Sequence, residues 1–184
     1  VFTECLNVKN EEVLIAGDLG YPGKRVPALM LGCYVLAAKR LGLRYKLEIQ
    51  NPVTPGGSAG DNVINSLDSM PNYYVLALAF SHKLGKMKKL GSSFRKYIKS
   101  RSHRFVSTSS LFEMNTFNFF RLVDPINVDY RKMQEKGKKL KSVLDNADTV
   151  EISTDKGTNL RFNIKGMKAI SNDADYSRPR SGGN

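Results

Sequence analysis

Few side chains of this 184-residue chain have the chemistry of a catalytic or metal-binding group. Its two histidines, His82 and His103, lie too far apart for the HExxH spacing of a zinc protease. Its two cysteines, Cys5 and Cys33, form no CxxC pair, and both are predicted to be ordinary buried thiols. We therefore expect no zinc-protease site built wholly from this chain.

His82 is the strongest candidate for a ligand-binding residue because of the segment that precedes it. Residues 73–80 are almost continuously apolar and are predicted to form a buried strand. Ligands of a doubly wound sheet bind at the carboxyl ends of its strands. Ser81 and His82 would lie at such an end, so we predict that both contribute to a substrate cleft. A solvated or hydrogen-bonded loop histidine is the alternative, and His103 is the weaker candidate.

The glycine-rich segment 17–25 resembles a phosphate-binding loop only superficially. The GxxxxGK[ST] pattern requires a glycine where Asp18 stands and a hydroxyl residue where Arg25 stands. An acidic side chain in this turn would repel a phosphate. We therefore predict an ordinary glycine-rich turn rather than a nucleotide site.

Two other polar segments are candidate ligand sites. The loop of residues 55–60 could bind an anion at the start of the next helix, but Asp61 suits the N-cap of that helix. A surface loop is the simpler prediction. Asp173 and Asp175 are spaced like paired oxygen ligands of a metal, although no complete calcium-loop pattern surrounds them, so a solvated turn is predicted there.

Positive charge is the main feature of the composition, with 29 Lys and Arg against 17 Asp and Glu and a formal net charge of +12. Residues 82–104 contain nine Lys or Arg and no acidic residue, and Phe94 and Tyr97 lie among them. Interleaved basic and aromatic residues are typical of nucleic-acid surfaces. No recognised RNA or DNA module is present, so a non-catalytic module that binds RNA or an acidic partner is an alternative function.

Strand and helix patterns alternate along most of the chain. Apolar or alternating strands are predicted at 13–17, 44–50, 73–80 and 105–108, and helices at 26–41, 61–70, 111–122 and 129–146. This order predicts an α/β fold with a doubly wound, mostly parallel sheet in a three-layer, Rossmann-like or flavodoxin-like arrangement.

A β-hairpin is predicted after these elements, with its turn at Asp155-Lys156-Gly157. It is either an antiparallel edge of the sheet or the opening element of another domain. We predict an α/β domain over residues 1–147 and, over residues 148–184, the hairpin and the start of a connection to a further domain.

The helix at 26–41 is apolar almost all round, so it is predicted to pack on more than one side. A second domain or the other subunit of a homodimer could cover it. The longest apolar run falls well short of the roughly 20 residues that span a bilayer. The first residues also lack the pattern of a signal peptide, so we expect a cytoplasmic protein without a membrane partner.

Several motifs resemble the aminopeptidase T family of metallopeptidases, which includes leucyl-aminopeptidase-like proteins and the related dihydroxypyridine dioxygenases. Residues 149–162, TVEISTDKGTNLRF, are similar to the family's TspxGTdLxf hairpin, and residues 181–184, SGGN, are similar to the start of its GNLPxGE segment. Weaker similarities extend over nearly the whole chain, at Cys5-Leu6, at residues 12–15, at Ser81-His82-Lys83 and at residues 140–147.

The resemblance implies the N-terminal α/β domain of an enzyme that removes N-terminal amino acids from a peptide substrate. Such an enzyme would use a divalent metal (Zn, Co, Mn or Fe) and a carboxylate as general base. The dioxygenase-like branch would instead use iron to open an aromatic ring. The family's metal ligands lie beyond the motif that begins at residues 181–184, so we expect no metal site and no activity within these 184 residues. Lys83 stands where the family often has Thr.

Overall fold

Five parallel strands form the central sheet in the computed structural model, which describes residues 1–183. The strands of the described chain are β1 (Val13–Asp18), β2 (Tyr45–Gln50), β3 (Val75–Ala79), β4 (Arg104–Thr108), β5 (Thr149–Ser153), β6 (Asn159–Asn163) and β7 (Gly182–Gly183). The order in the sheet is β2-β1-β3-β4-β7, and every pair is parallel. The predicted α/β class and mostly parallel sheet are confirmed.

Helices cover both faces of this sheet, which confirms the doubly wound arrangement. The helices are α1 (Val26–Arg40), α2 (Asp61–Ser69), α3 (Phe94–Arg101), α4 (Phe119–Ile126) and α5 (Tyr130–Asp145). Successive residues of a strand point to opposite faces. Leu14 and Leu76 therefore belong to the core beneath α2 and α3. Val13 and Val75 belong to the core beneath α1 and α4.

The predicted helix at 111–122 is wrong in its bounds. Two short 3₁₀ turns, Leu111–Glu113 and Thr116–Asn118, precede α4. The side chain of Asn115 accepts a hydrogen bond from the backbone N–H of Phe117. This local bond interrupts the helix because it offers the backbone an alternative to helical pairing.

Among the described residues, helix α1 packs on the sheet with one side only. Met30, Leu31 and Tyr34 are buried, whereas Leu36 is 56% exposed. Cys33 lies on the exposed side, so the prediction that it is buried is wrong, while that for Cys5 is confirmed. Because α1 is apolar on both sides, its sequence has no hydrophobic pattern that shows which side is buried. Only its packing on the sheet determines this. Packing of the outer side on a domain or a second copy stays a prediction.

The described chain forms two compact units. One contains residues 1–128 together with the segment from Asp175 onwards, and the other is Asp129–Ala174, which holds α5, β5 and β6. This division differs from the predicted boundary after residue 147, because α5 groups with the hairpin. In the second unit, for example, the side chain of Asp145 accepts a hydrogen bond from the backbone N–H of Ala169.

The C-terminal segment belongs to the first unit because it pairs with the central sheet. Phe105 N–H donates to the carbonyl of Ser181 over 3.1 Å, and Tyr176 N–H donates to the carbonyl of Cys5 over 2.9 Å. The predicted hairpin is confirmed as β5 and β6, but it forms a separate antiparallel pair rather than an edge of the main sheet. Among residues 1–183, no helix has the length and apolar character needed to cross a membrane.

Candidate ligand-binding cleft

The carboxyl ends of β1 and β3 form the topological switch point of the sheet. The two strands are neighbours, but the chain leaves β1 towards β2 on one side and continues from β3 towards β4 on the other. In open α/β sheets the crevice at this point is where ligands bind. Asp18 is the last residue of β1, and Ser81 and His82 follow β3. The structure therefore places both predicted cleft residues at the switch point.

Asp18 and Ser81 connect the two strand ends through a buried hydrogen-bond network. Both residues are 0% exposed. Asp18 Oδ1 accepts from Ser81 Oγ at 2.5 Å and from the Gly20 N–H at 2.8 Å. Asp18 Oδ2 accepts from the Ser81 N–H at 2.7 Å. Burial of a carboxylate is costly unless it is hydrogen-bonded, and these three donors satisfy it. Asp18 thus faces inward, and the predicted ordinary turn of residues 17–25 is closed by its side chain.

His82 is half-buried and is held between two aromatic rings. The centroids of the His82 and Phe112 rings lie 4.1 Å apart, and the Tyr21 ring meets the imidazole nearly edge-on at 6.0 Å. The Tyr21 hydroxyl lies 3.4 Å from His82 Nε2. The backbone is fixed as well, because Ser110 N–H donates to the His82 carbonyl and Phe112 N–H donates to the Ser81 carbonyl. These contacts orient the imidazole before any ligand binds.

A cleft of about 490 Å³ opens beside His82. Its lining consists of His82, Lys83, Gly85, Lys86, Ser92, Ser110, Phe112 and the loop of residues 53–57. Val53, Pro55 and Phe112 give it apolar walls. The volume lies in the range of small-molecule sites, which combine apolar walls with a few polar groups. A wider cleft of about 720 Å³ lies on the other side of the same loop and includes Arg25.

Hydrogen bonds hold both ends of the loop that separates the two clefts. Lys86 N–H donates to the Gly57 carbonyl, and Ala59 N–H donates to the Lys86 carbonyl. The buried side chain of Gln50 accepts from the Gly60 N–H and donates to the Leu84 carbonyl. These bonds fix the wall of the cleft.

The predicted role of Asp61 is wrong. Gly60 occupies the N-cap of α2, and Asp61 is the first residue of the helix. The carboxylate of Asp61 instead accepts from Lys88 Nζ at 2.6 Å. This ion pair lowers the pKa of the exposed Asp61 carboxyl, with the hydrogen bond from Lys88 as the main cause.

His103 belongs to the core and not to the cleft. It is 0% exposed, and its Nδ1 accepts from the Tyr74 N–H at 3.1 Å. Its Nε2 lies 3.2 Å from the hydroxyl of Tyr97, which donates to the Leu67 carbonyl. Burial, reinforced by the charge of Arg101, lowers the pKa of His103 to about 4. Burial also raises the pKa of Tyr97 to about 12. His103 is therefore neutral, with its proton on Nε2, at pH 7.

The aromatic residues of the basic segment 82–104 do not form a surface for nucleic acid. Tyr97 is buried, and half-buried Phe94 packs edge-to-face on Phe105 with centroids 5.0 Å apart. Lys89 pairs with Asp68 at 2.7 Å. The amphipathic helix α3 turns both rings towards the sheet, so the interleaved pattern of basic and aromatic residues reflects core packing, and nucleic-acid binding by the basic side chains stays a prediction.

The resemblance places the ligands of its divalent metal beyond the described residues. Within residues 1–183, no three His, Cys, Asp or Glu side chains come together in a group that could hold a metal ion. Asp173 accepts a hydrogen bond from Ser171 Oγ at 2.9 Å, and Asp175 accepts from Ser177 Oγ at 2.6 Å. Each of the two carboxylates is therefore engaged by a neighbouring serine.

Sequence reasoning missed the two rings that hold His82. Tyr21 lies in the turn after β1, and the rule that placed Ser81 and His82 at the carboxyl edge could have placed it there too. Phe112 carried no such signal because its segment was predicted to be helical. Residues 55–60 were predicted to form a surface loop, and nothing in the composition of residues 53–57 indicates that they form the wall of a cleft.

Comparisons with protein-family models, with curated proteins and with solved structures find no match for this chain. The resemblance to aminopeptidases therefore stays a prediction from the motifs themselves. Of those motifs, the hairpin is present as β5 and β6, with a two-residue strand at Gly182–Gly183. Asn184 lies outside the described residues.

Proposed function

We propose that this chain is the α/β domain of a leucyl-aminopeptidase-like enzyme and that the cleft beside His82 binds the peptide substrate. The observation that carries the proposal is an oriented imidazole, held by Tyr21 and Phe112, at the mouth of a cleft of about 490 Å³. His82, which lines this cleft, follows β3 at the switch point, where sheets of this type bind ligands. The motifs of the aminopeptidase T family supply the class of substrate.

In this proposal, different residues of the cleft contact the peptide side chain, hydrogen-bond the peptide group and position His82. The apolar side chains of Val53, Pro55 and Phe112 contact an apolar side chain of the peptide. His82 hydrogen-bonds a peptide group through a ring nitrogen. Ser81 is a positioning residue, because its hydrogen bonds to Asp18 fix the backbone from which His82 projects. Preorganisation of this kind raises affinity by lowering the entropy lost on binding.

The proposal is tested by titrating the isotope-labelled chain with leucyl-leucine and following amide shifts by NMR. Saturable shifts are expected at Gly85, Ser92 and Ser110, which line the cleft. His82→Ala should weaken binding about tenfold, the worth of one hydrogen bond and one ring contact.

The matched control for the aromatic wall compares Phe112→Ala with Phe120→Ala, since Phe120 is an exposed ring that does not line the cleft. Only Phe112→Ala should weaken binding. An absence of saturable shifts, or shifts confined to residues outside the cleft, refutes the proposal. Binding to an RNA oligomer that falls steeply with salt would favour the nucleic-acid alternative instead.

A further inference from the structure

The residues that line the cleft carry positive charge and no negative charge. Lys83 and Lys86 both line it and are exposed, and none of its lining residues is Asp or Glu. Asp18 lies behind the wall, fully buried, with both oxygens occupied by protein donors. Glu113 follows Phe112 in the chain but does not line the cleft. The two lysines among the lining residues are therefore not compensated by any carboxylate that lines the cleft.

This charge distribution discriminates between the two ends of a peptide. An N-terminal ammonium group would be repelled by the lysines, because like charges disfavour each other in a partly dehydrated site. A carboxylate gains charge-assisted hydrogen bonds from the same groups. The cleft is thus matched to the carboxylate of a ligand and opposed to its amine.

The backbone that carries Lys86 is fixed by hydrogen bonds on both sides, so the base of this side chain is held in place. Lys86 is bonded on both sides, to the Gly57 carbonyl and to the Ala59 N–H. Gly85 has φ of +104°, and a Cβ atom there would lie 2.6 Å from the Ala59 nitrogen. Only glycine fits this close approach.

We infer that the cleft binds the C-terminal carboxylate of a short peptide through Lys83 and Lys86, and that the apolar walls contact its C-terminal side chain. The inference rests on the proposed function and adds the direction in which the peptide lies. The cleft volume of about 490 Å³ suits a ligand of a few residues. The domain would then select di- and tripeptides with a free carboxylate and leave the N-terminal amine directed away from the lysines.

The direction of binding is tested with three probes that differ only at their ends: leucyl-leucine, leucyl-leucine amide and N-acetyl-leucyl-leucine. Dissociation constants are measured by NMR titration at pH 7 and low salt. Amidation should weaken binding about tenfold, the usual worth of a charged hydrogen bond. Acetylation of the amine should leave the affinity within about twofold, since the amine makes no charge-assisted bond.

The variant Lys83→Met/Lys86→Met retains most of each apolar stem and removes both charges. It should bind leucyl-leucine and its amide equally, with the affinity for the amide unchanged. Lys156→Met, in the exposed turn between β5 and β6, is the matched control and should preserve the discrimination.

The results of these titrations distinguish the direction of peptide binding, which is the inference, from peptide binding itself, which is the proposed function. Equal affinity of the wild-type chain for the acid and the amide overturns the inference and leaves peptide binding intact. Loss of binding on acetylation also overturns it. Failure of all three probes overturns both proposals. Inorganic phosphate serves as a fourth probe, and displacement of leucyl-leucine by an equal concentration of phosphate would show a general anion site and overturn the assignment to a peptide.

Discussion

Acidification should destabilise the α/β unit through His103. In the folded protein its imidazole is neutral, since Nδ1 accepts from the Tyr74 N–H and burial opposes a positive charge. An added proton would occupy Nδ1 and break that bond. In the unfolded chain the same imidazole takes up a proton near its ordinary pKa of 6.5. The unfolded state therefore binds the proton first as the pH falls.

The size of the effect follows from the two pKa values of His103. The folded-state value is lowered from 6.5 to about 4, and each pKa unit corresponds to about 1.36 kcal/mol. The stabilisation is fully present above pH 6.5 and is lost progressively as the pH falls towards 4. The total is about 3 kcal/mol, of which about 2 kcal/mol is lost between pH 7 and pH 5.

Urea denaturation followed by circular dichroism, at half-unit steps between pH 7 and pH 5, measures this loss. The carboxyl groups of Glu11 and Glu48 also contribute, but their pKa values are lowered from 4.5, so their stabilisation is lost below this window. Working above pH 5 isolates the histidine.

His103→Asn is the informative variant because asparagine keeps an acceptor for the Tyr74 N–H and cannot titrate. It should be less stable than the wild type at pH 7, and its stability should change little between pH 7 and pH 5. Ser177→Ala is the matched control, since Ser177 lies outside this network and does not titrate, and it should keep the wild-type slope. Equal slopes for the wild type and His103→Asn, or an NMR titration of His103 with a pKa above 6, would refute the reasoning.

Two further substitutions test the support of the cleft. Ser81→Ala removes the Oγ donor to Asp18 and should lower the free energy of unfolding by about 1–3 kcal/mol, because the carboxylate stays buried. Ser177→Ala, which removes the equivalent bond to the exposed Asp175, should cost less than about 0.5 kcal/mol, and equal losses in urea denaturation would contradict the argument. Gly85→Ala should destabilise by more than Gly56→Ala, because both glycines have positive φ but only Gly85 meets backbone within 4 Å. The cost of φ alone is about 1–2 kcal/mol, so equal thermal shifts for the two variants would mean that the close approach at Gly85 is not rigid.

Elements with a regular hydrophobic pattern were the ones that the sequence predicted well. β3 is continuously apolar and fully buried, and the spacing of apolar residues predicted α5 to within one residue at each end. β7 could not be found in this way, since Gly182 and Gly183 carry no side-chain pattern and pair with β4 only in the folded chain. The break before α4 likewise depends on one local bond, from the Phe117 N–H to Asn115.

The position of the candidate cleft in the sheet could be predicted from the sequence, whereas the residues that line it and that orient His82 could not. The rule that ligands bind at the carboxyl ends of strands placed Ser81 and His82 at the edge of the sheet, where His82 lines a cleft and Ser81 is fully buried behind it. The rings that orient His82 come from different segments, one of them predicted to be helical, so no local pattern could identify them. The wall formed by residues 53–57 depends on pairing between Gly57 and Lys86, which are distant in sequence.

Asp18 explains why this edge of the sheet differs from a phosphate-binding loop and is still suited to an anion. Considered alone in its turn, the carboxylate argues against any negatively charged ligand. In the fold it accepts three hydrogen bonds from Gly20 and Ser81, is fully buried and does not line the cleft. The surface beyond it is then dominated by Lys83 and Lys86. The acid that argues against a nucleotide loop thus connects the two strand ends, and in the binding mode we infer it is Lys83 and Lys86 that determine which end of a peptide enters the cleft.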